Sequence, residues 1–293
     1  MSLWEAIGEG LAEVTGEQGT AAPLGAVGGG CINQAMRLGY GGKTYFIKLN
    51  SAAHADMFEA EALGLRELQD SHSLRVPEPL CHGADGQSAW LVLEDLALGG
   101  GGDPAALGRG LAHLHQVTQA RFGWAQDNTI GSTPQINTPE PDWVVFWREH
   151  RLRFQLDLAA RRGHGGRLRE RGERLLGEFP HLFADYRPVA SLLHGDLWSG
   201  NYAYSREGEP VIFDPAVYYG DREADLAMTE LFGGFGRDFY AAYREAWPLD
   251  EGYAVRKTLY NLYHVLNHLN LFGGGYFSQA QGMIDRLLSE LGQ

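Results

Sequence analysis

The sequence predicts an α+β chain in two unequal parts: a small β-rich region with one main helix, then a larger, mostly helical region interrupted by one hairpin. Three observations predict it. Strand-like and glycine-turn patterns crowd the first third of the chain. Apolar positions then recur at helical spacing to the C-terminus. A run of four glycines, Gly99–Gly102, falls between the two patterns. The expected division is therefore 1–97 and 98–293, a length too great for one small core but suited to a two-part unit.

Taken in order, Leu3, Ile7, Leu11 and Val14 share one face of a helix that Ser2 is placed to cap. The stretch "AAPLGAVGGGCINQAMRLGYGGKTYFIKLN" reads as hairpins, with a glycine triplet at Gly28–Gly30, a turn at Gly41–Gly42 and a β-rich run from Thr44 to Leu49. Met57, Ala60, Leu63 and Leu68 fit a helix from Ala52 to Gln69, and "SAWLVLEDL" reads as a short buried strand. Asp103 and Pro104 form an N-cap and first-turn pair. Helices are expected over 104–117, 142–162, 166–178, 222–232, 236–246, 252–272 and 277–291, with 122–141 irregular. The segment 190–215 carries two short strands, "NYAYS" and "PVIFD".

Composition narrows the partners. A 44% hydrophobic, 21% charged chain can bury a core, so wholesale disorder is excluded. A net charge of −13 without a long basic run argues against nucleic acid, whose phosphates demand clustered Lys and Arg. It leaves room for a phosphorylated small ligand. Only Cys31 and Cys81 are present, which makes a disulfide framework implausible and a reducing compartment the expectation. The N-terminus lacks the basic and apolar regions of a signal peptide, and no window approaches a bilayer span. A cytoplasmic protein with no membrane partner, monomeric or weakly dimeric, is expected.

The chemistry concentrates in "LLHGDLWSGN". His194-Gly195-Asp196 followed by Asn201 has the spacing of the H-R-D-x-x-x-x-N loop of protein kinases, where Asp accepts the proton of the acceptor hydroxyl and Asn holds Mg²⁺. Glycine in place of arginine points toward small-molecule rather than protein substrates. Asp214 ends the next strand, where a second metal-binding carboxylate belongs. Alone, an Asp or an Asn most often caps a turn; three polar groups in this order favour phosphoryl transfer. Lys48 lies in the apolar run "TYFIKLN" and needs an anion there, either phosphate or a helix carboxylate. Of the two candidates, Glu61 is preferred over Glu59, which points to another helix face. Gly28, Gly29 and Gly30 can lay backbone N–H groups over phosphates. The loop matches neither G-x-G-x-x-G nor G-x-x-x-x-G-K-[ST], so a P-loop is excluded there. "WLVLEDL" suggests that backbone groups at Glu94 and Leu96 read an adenine.

Together "LLHGDLWSGN", "FDPAVYYGDREADLAM", "FIKLN…MFEAEALGL", "FGWAQDNTIGSTPQIN" and "LYNLYHVLNHLNLFGGGY" resemble the fructosamine kinase (ketosamine 3-kinase) family across nearly the whole chain. The resemblance implies a bilobal protein-kinase-like fold, ATP with Mg²⁺, and transfer of the γ-phosphoryl to the 3-hydroxyl of a ketosamine. The substrate would be a small sugar-amine or a glycated protein lysine, and the phosphorylated product decomposes to free the amine. By that match Asp196 is the base, Asn201 and Asp214 hold metal, Lys48 with Glu61 orders phosphates, and His194 and Asp225 support the loop. Trp198 can offer its face to a sugar. His264 and His268 stand at i, i+4 without the Glu of H-E-x-x-H, so zinc is not expected; His268 is assigned to the acceptor pocket. Cys31, within the glycine loop, is either an apolar filler or a thiol switch. Two alternatives remain: a kinase for another hydroxylated acceptor such as an aminoglycoside, choline or homoserine, or a non-catalytic pseudokinase.

Overall fold

A computed structural model describes residues 2–28 and 32–292. By packing, the chain divides into a first unit, Met1–Asp103 with Asn201–Pro215, and a second, Pro104–Gly200 with Ala216–Gln293.

The first unit opens with α1 (Leu3–Thr15). The Ser2 hydroxyl accepts from the Glu5 N–H while the Glu5 carboxylate accepts from the Ser2 N–H, so two otherwise unpaired donors are satisfied reciprocally. Ile7 and Leu11 face a core containing Leu38, Tyr40, Ile47 and Trp90. There follow β1 (Ala22–Ala26), β2 (Gln34–Tyr40), β3 (Lys43–Ser51), α2 (Ala55–Asp70), β4 (Pro79–Ala84) and β5 (Ser88–Glu94). The strands form one antiparallel sheet in the order β1-β2-β3-β5-β4, with β3 in the middle. Gly41 and Gly42, at φ 59° and 79°, make the tight β2–β3 turn that side-chain-bearing residues resist. Helix α2 buries Met57, Ala60, Gly64, Leu65 and Leu68, the 3.6-residue stripe that also carries Glu61 inward.

Along the rest of the chain come α3 (Pro104–His115), β6 (Thr118–Gln119), β7 (Asn128–Ile130), β8 (Thr133–Gln135), α4 (Trp143–Trp147), α5 (Phe154–Arg161), α6 (Arg167–Glu178) and β9 (Ala190–Leu193). Then follow β10 (Tyr202–Tyr204), β11 (Pro210–Ile212), β12 (Tyr218–Gly220), α7 (Glu223–Leu231), α8 (Arg237–Ala246), α9 (Tyr253–Phe272) and α10 (Tyr276–Glu290). The expected single helix over 142–162 is α4 and α5 joined by a wider π turn, Arg148–Arg153. The expected irregular stretch contains the β7–β8 hairpin. A small sheet, β12-β9-β6, carries the chain directly into His194. Among the described residues, no helix is long and apolar enough to cross a membrane.

The packing differs from the expected 97/98 division at two places: residues 98–103 fall in the first unit, and so does a later hairpin. The β10–β11 hairpin, assigned from the sequence to the helical part, belongs to the first unit. Its backbone is tied there: the Gly99 and Gly100 N–H groups donate to the Tyr204 carbonyl, Arg206 N–H to Ala97, and Ile212 N–H to Arg75. A Cβ on Gly100 would lie 2.0 Å from the Ser205 carbonyl oxygen, and one on Gly102 2.0 Å from the Tyr204 ring. Those two glycines are required by close approach to the hairpin.

Candidate active site

In the first unit, Lys48 sits on the central strand opposite Ala35 and Leu91 and is 5% exposed. Its ammonium donates to Glu61 and, at 2.6 Å, to Asp214 Oδ1. Burial alone would favour the neutral amine; the Asp214 and Glu61 charges outweigh it and raise the Lys48 pKa, so the lysine stays charged. Glu59 is exposed on the opposite side of α2.

Asp214 follows β11 with a left-handed backbone, φ 56°, a strained conformation for a residue with a side chain. Its side chain is 46% exposed. Asn201 begins the same hairpin. Its carbonyl accepts the Phe213 N–H at 3.0 Å, and its amide nitrogen donates to the Asp214 carbonyl at 3.4 Å. The hairpin thus brings together a carboxamide and a carboxylate that are 13 residues apart. An oxygen-donor pair with the carboxylate open to solvent fits Mg²⁺, which takes one or two carboxylates and completes its shell with water and phosphate oxygens.

At the end of β5, the Glu94 side chain pairs with Arg75 and its N–H donates to the Glu78 carbonyl. The Leu96 carbonyl accepts from Leu98. Gly28 precedes the described break; Gly29, Gly30 and Cys31 lie outside the described residues. Cys81 is half-buried on β4, and burial pushes its thiol up to about 11.

In the second unit, the loop after β9 is held from below by Asp225 on α7. The carboxylate accepts the His194 N–H at 2.7 Å, the Gly195 N–H at 2.8 Å and the His115 ring at 3.2 Å. Burial would raise the Asp225 pKa; hydrogen bonding and charge from His115, with His194 and Gly195, reverse this and lower it. His194 is buried, and its Nδ1 accepts the Asp196 N–H at 3.2 Å. Gly195 has φ 83°, and a Cβ there would lie 2.0 Å from the Ala216 carbonyl oxygen. This explains glycine where the protein-kinase pattern has arginine: no side chain fits. Asp196 itself is half-buried.

Trp198 is 37% exposed and meets Phe232 edge-on, ring centroids 6.0 Å apart. Phe232 in turn lies 5.1 Å from the His268 ring. His268 Nδ1 donates to the His264 carbonyl, while the His264 ring is buried and desolvation lowers its pKa to about 3. The structure therefore links Trp198 and His268 through Phe232, which sequence reasoning missed. His115 was missed too: it ends an unremarkable helix, and its partners, Asp225 and the Tyr243 hydroxyl, stand 110 and 128 residues away.

A family model described as fructosamine kinase matches residues 3–290. A probable ketoamine kinase of Synechocystis is 48% identical over 298 residues, 97% of either chain. A chloroplastic protein-ribulosamine 3-kinase of Arabidopsis thaliana is 45% identical over 92% of this chain and 83% of its own. Among solved structures, a putative fructosamine-3-kinase from Haemophilus somnus superposes with a TM-score of 0.90 at 29% identity, covering 97% of each chain.

Proposed function

The chain belongs to the fructosamine kinase family and is a kinase with that family's fold, and from this premise we propose that it transfers the γ-phosphoryl group of ATP to the 3-hydroxyl of a ketosamine. The observation that carries the reading is the ammonium of Lys48, kept charged beside Asp214 on a central strand of the first unit. A cation so held is suited to phosphate oxygens, with Glu61 as the partner that keeps it in place. Asn201 and Asp214 would hold Mg²⁺, which when bound supplies positive charge to those oxygens. Backbone groups at Glu94 and Leu96 are assigned to an adenine edge; the Glu94 N–H and the Leu96 carbonyl already have backbone partners.

In the second unit, Asp225 fixes the backbone from which Asp196 projects. Asp196 accepts the proton of the acceptor hydroxyl as its oxygen attacks phosphorus. The bond from phosphorus to the β-phosphate oxygen breaks and ADP leaves. Trp198 and His268 are assigned to the acceptor's sugar. With phosphate on C3, beside the C2 ketone, enolisation toward C1 expels the phosphate, and hydrolysis of what remains frees the amine. The acceptor is a sugar-amine or a glycated protein lysine, and the work is done in the cytoplasm.

The test is ³¹P NMR of ATP, Mg²⁺ and a synthetic ribulosamine, beside fructosamine, an aminoglycoside, choline and homoserine. A new phosphomonoester on the ribulosamine with matching ADP is expected. Transfer to an aminoglycoside alone replaces the acceptor; transfer to none makes the chain a nucleotide-binding module. Asp196→Asn should lose about 10²-fold or more in turnover.

A further inference from the structure

The stretch "FGWAQDNTIGSTPQIN" has no part in the chemistry above, yet its hairpin buries three carboxamides, Asn128, Gln135 and Asn137. Buried amides are costly unless their arms are paired. The pairing here runs toward one short segment. The Gln135 amide nitrogen donates to Asn128 Oδ1 at 2.9 Å and to the Ala216 carbonyl at 3.1 Å, and its oxygen accepts from the Tyr263 hydroxyl at 2.8 Å. Asn128 donates to the Val217 carbonyl at 2.8 Å. Asn137 donates to Asn128 Oδ1 and accepts from Arg151 Nη2, each within 2.9 Å. Arg151 emerges from the π turn and lies 4.2 Å over the Tyr218 ring. Three consecutive residues, 216–218, are therefore gripped by side chains from β7–β8 and the π turn, with Tyr263 of α9 behind Gln135.

That segment also touches the loop of Asp196. The Ala216 N–H donates to the His194 carbonyl at 2.8 Å, and the Ala216 carbonyl fills the space that a Gly195 side chain would need. We propose that Gln135 is a positioning residue: by fixing the Ala216 carbonyl it sets the seat of the His194–Asp196 loop. This rests on the reading of Asp196 as the base. Asp225 holds the two loop N–H groups; Gln135 acts one residue removed, through the Ala216 peptide. The Ala216 carbonyl can only accept, so the carboxamide nitrogen faces it, and the amide oxygen is left to accept from the Tyr263 hydroxyl.

The test pairs kinetics with hydrogen exchange. Gln135→Met keeps volume and removes all three bonds. It should lower kcat by about 10- to 100-fold, the scale expected of an ångström-sized misplacement, with KM for ATP and ribulosamine within about twofold. The Ala216 amide should exchange with deuterium about tenfold faster or more. Tyr263→Phe leaves the Gln135 donors in place and keeps the proposal testable should Gln135→Met fail to fold. It should lose about threefold to tenfold in kcat with the same split. Variants that melt lower but keep kcat and Ala216 protection would make the hairpin a stabilising element only and overturn the proposal. Full turnover by Asp196→Asn would instead remove the base assignment, and the exchange measurement would still decide the role of Gln135.

Discussion

Asp214 and Asp225 are two aspartates with opposite surroundings. Asp225 is 1% exposed and receives two backbone N–H groups and an imidazole. Asp214 is nearly half exposed, stands on strained backbone and shares one ammonium with Glu61. A carboxylate bonded to backbone donors behaves as a fixed frame, because releasing any of them buries an unpaired N–H. A carboxylate that shares a lysine can change partners at lower cost. Lys48 can turn from Asp214 toward a phosphate oxygen while Glu61 keeps its charge matched. On the proposed reading, the second unit would be rigid where a proton is to be accepted, and the first adaptable where a charged ligand is to arrive.

The sharpest way to break this contrast is Gly195→Ala. It puts a methyl 2.0 Å from a carbonyl oxygen at φ 83°, and turnover should fall by about 10²-fold or more with the helical CD spectrum retained. Activity above a tenth of wild type, on the order of a one-decade loss, would show that the frame yields. Lys48→Met comes next. It leaves Glu61 buried without its cation and should cost about 3–5 kcal/mol in denaturant unfolding, with ATP turnover lost. Adding Glu61→Gln should restore much of the stability and none of the activity. Asp225→Asn is expected to cost about 10-fold or more in kcat with little change in KM for ATP, since an amide can accept from one loop N–H while its own NH₂ faces another.

The remaining prediction is a pH dependence. The His264 pKa is depressed to about 3 by burial, so the fold requires the neutral ring. Its contribution to stability is complete above the unfolded value near 6.5 and declines as pH falls toward 3, by about 1.4 kcal/mol per pH unit. His115, also lowered by burial, acts in the same direction. Melting temperature should drop steadily from pH 7 to 5, and His264→Gln should flatten that slope.

The legible parts of this molecule were those whose signal is local. The Ser2 cap, the α2 stripe carrying Glu61 inward, and helices such as α9 follow from spacing within a few residues. Strands β9 and β12 were not legible: they have four and three residues, all buried, so no alternation marks them. The glycine run 99–102 reads as a boundary between two patterns until Tyr204 and Ser205 are seen against it. Gln135 to Ala216, and His115 to Asp225, are pairings across 81 and 110 residues that no periodicity encodes. Lys48 and Asp214, 166 apart, were each assigned a role through a motif, but their direct ion pair was not legible.

The hairpin at 201–215 has a consequence for how the chain is born. The first unit is interrupted by residues 104–200, so its five-stranded sheet leaves the ribosome before the β10–β11 hairpin that belongs to the same unit. At about 5–20 residues per second, the wait for that missing piece is roughly 5–20 s. During that interval Gly99 and Gly100 lack the carbonyl they will bond. A nascent chain stalled at residue 103 should leave the first unit protease-sensitive, and one extended past 215 should protect residues 1–103 even while the second unit is incomplete.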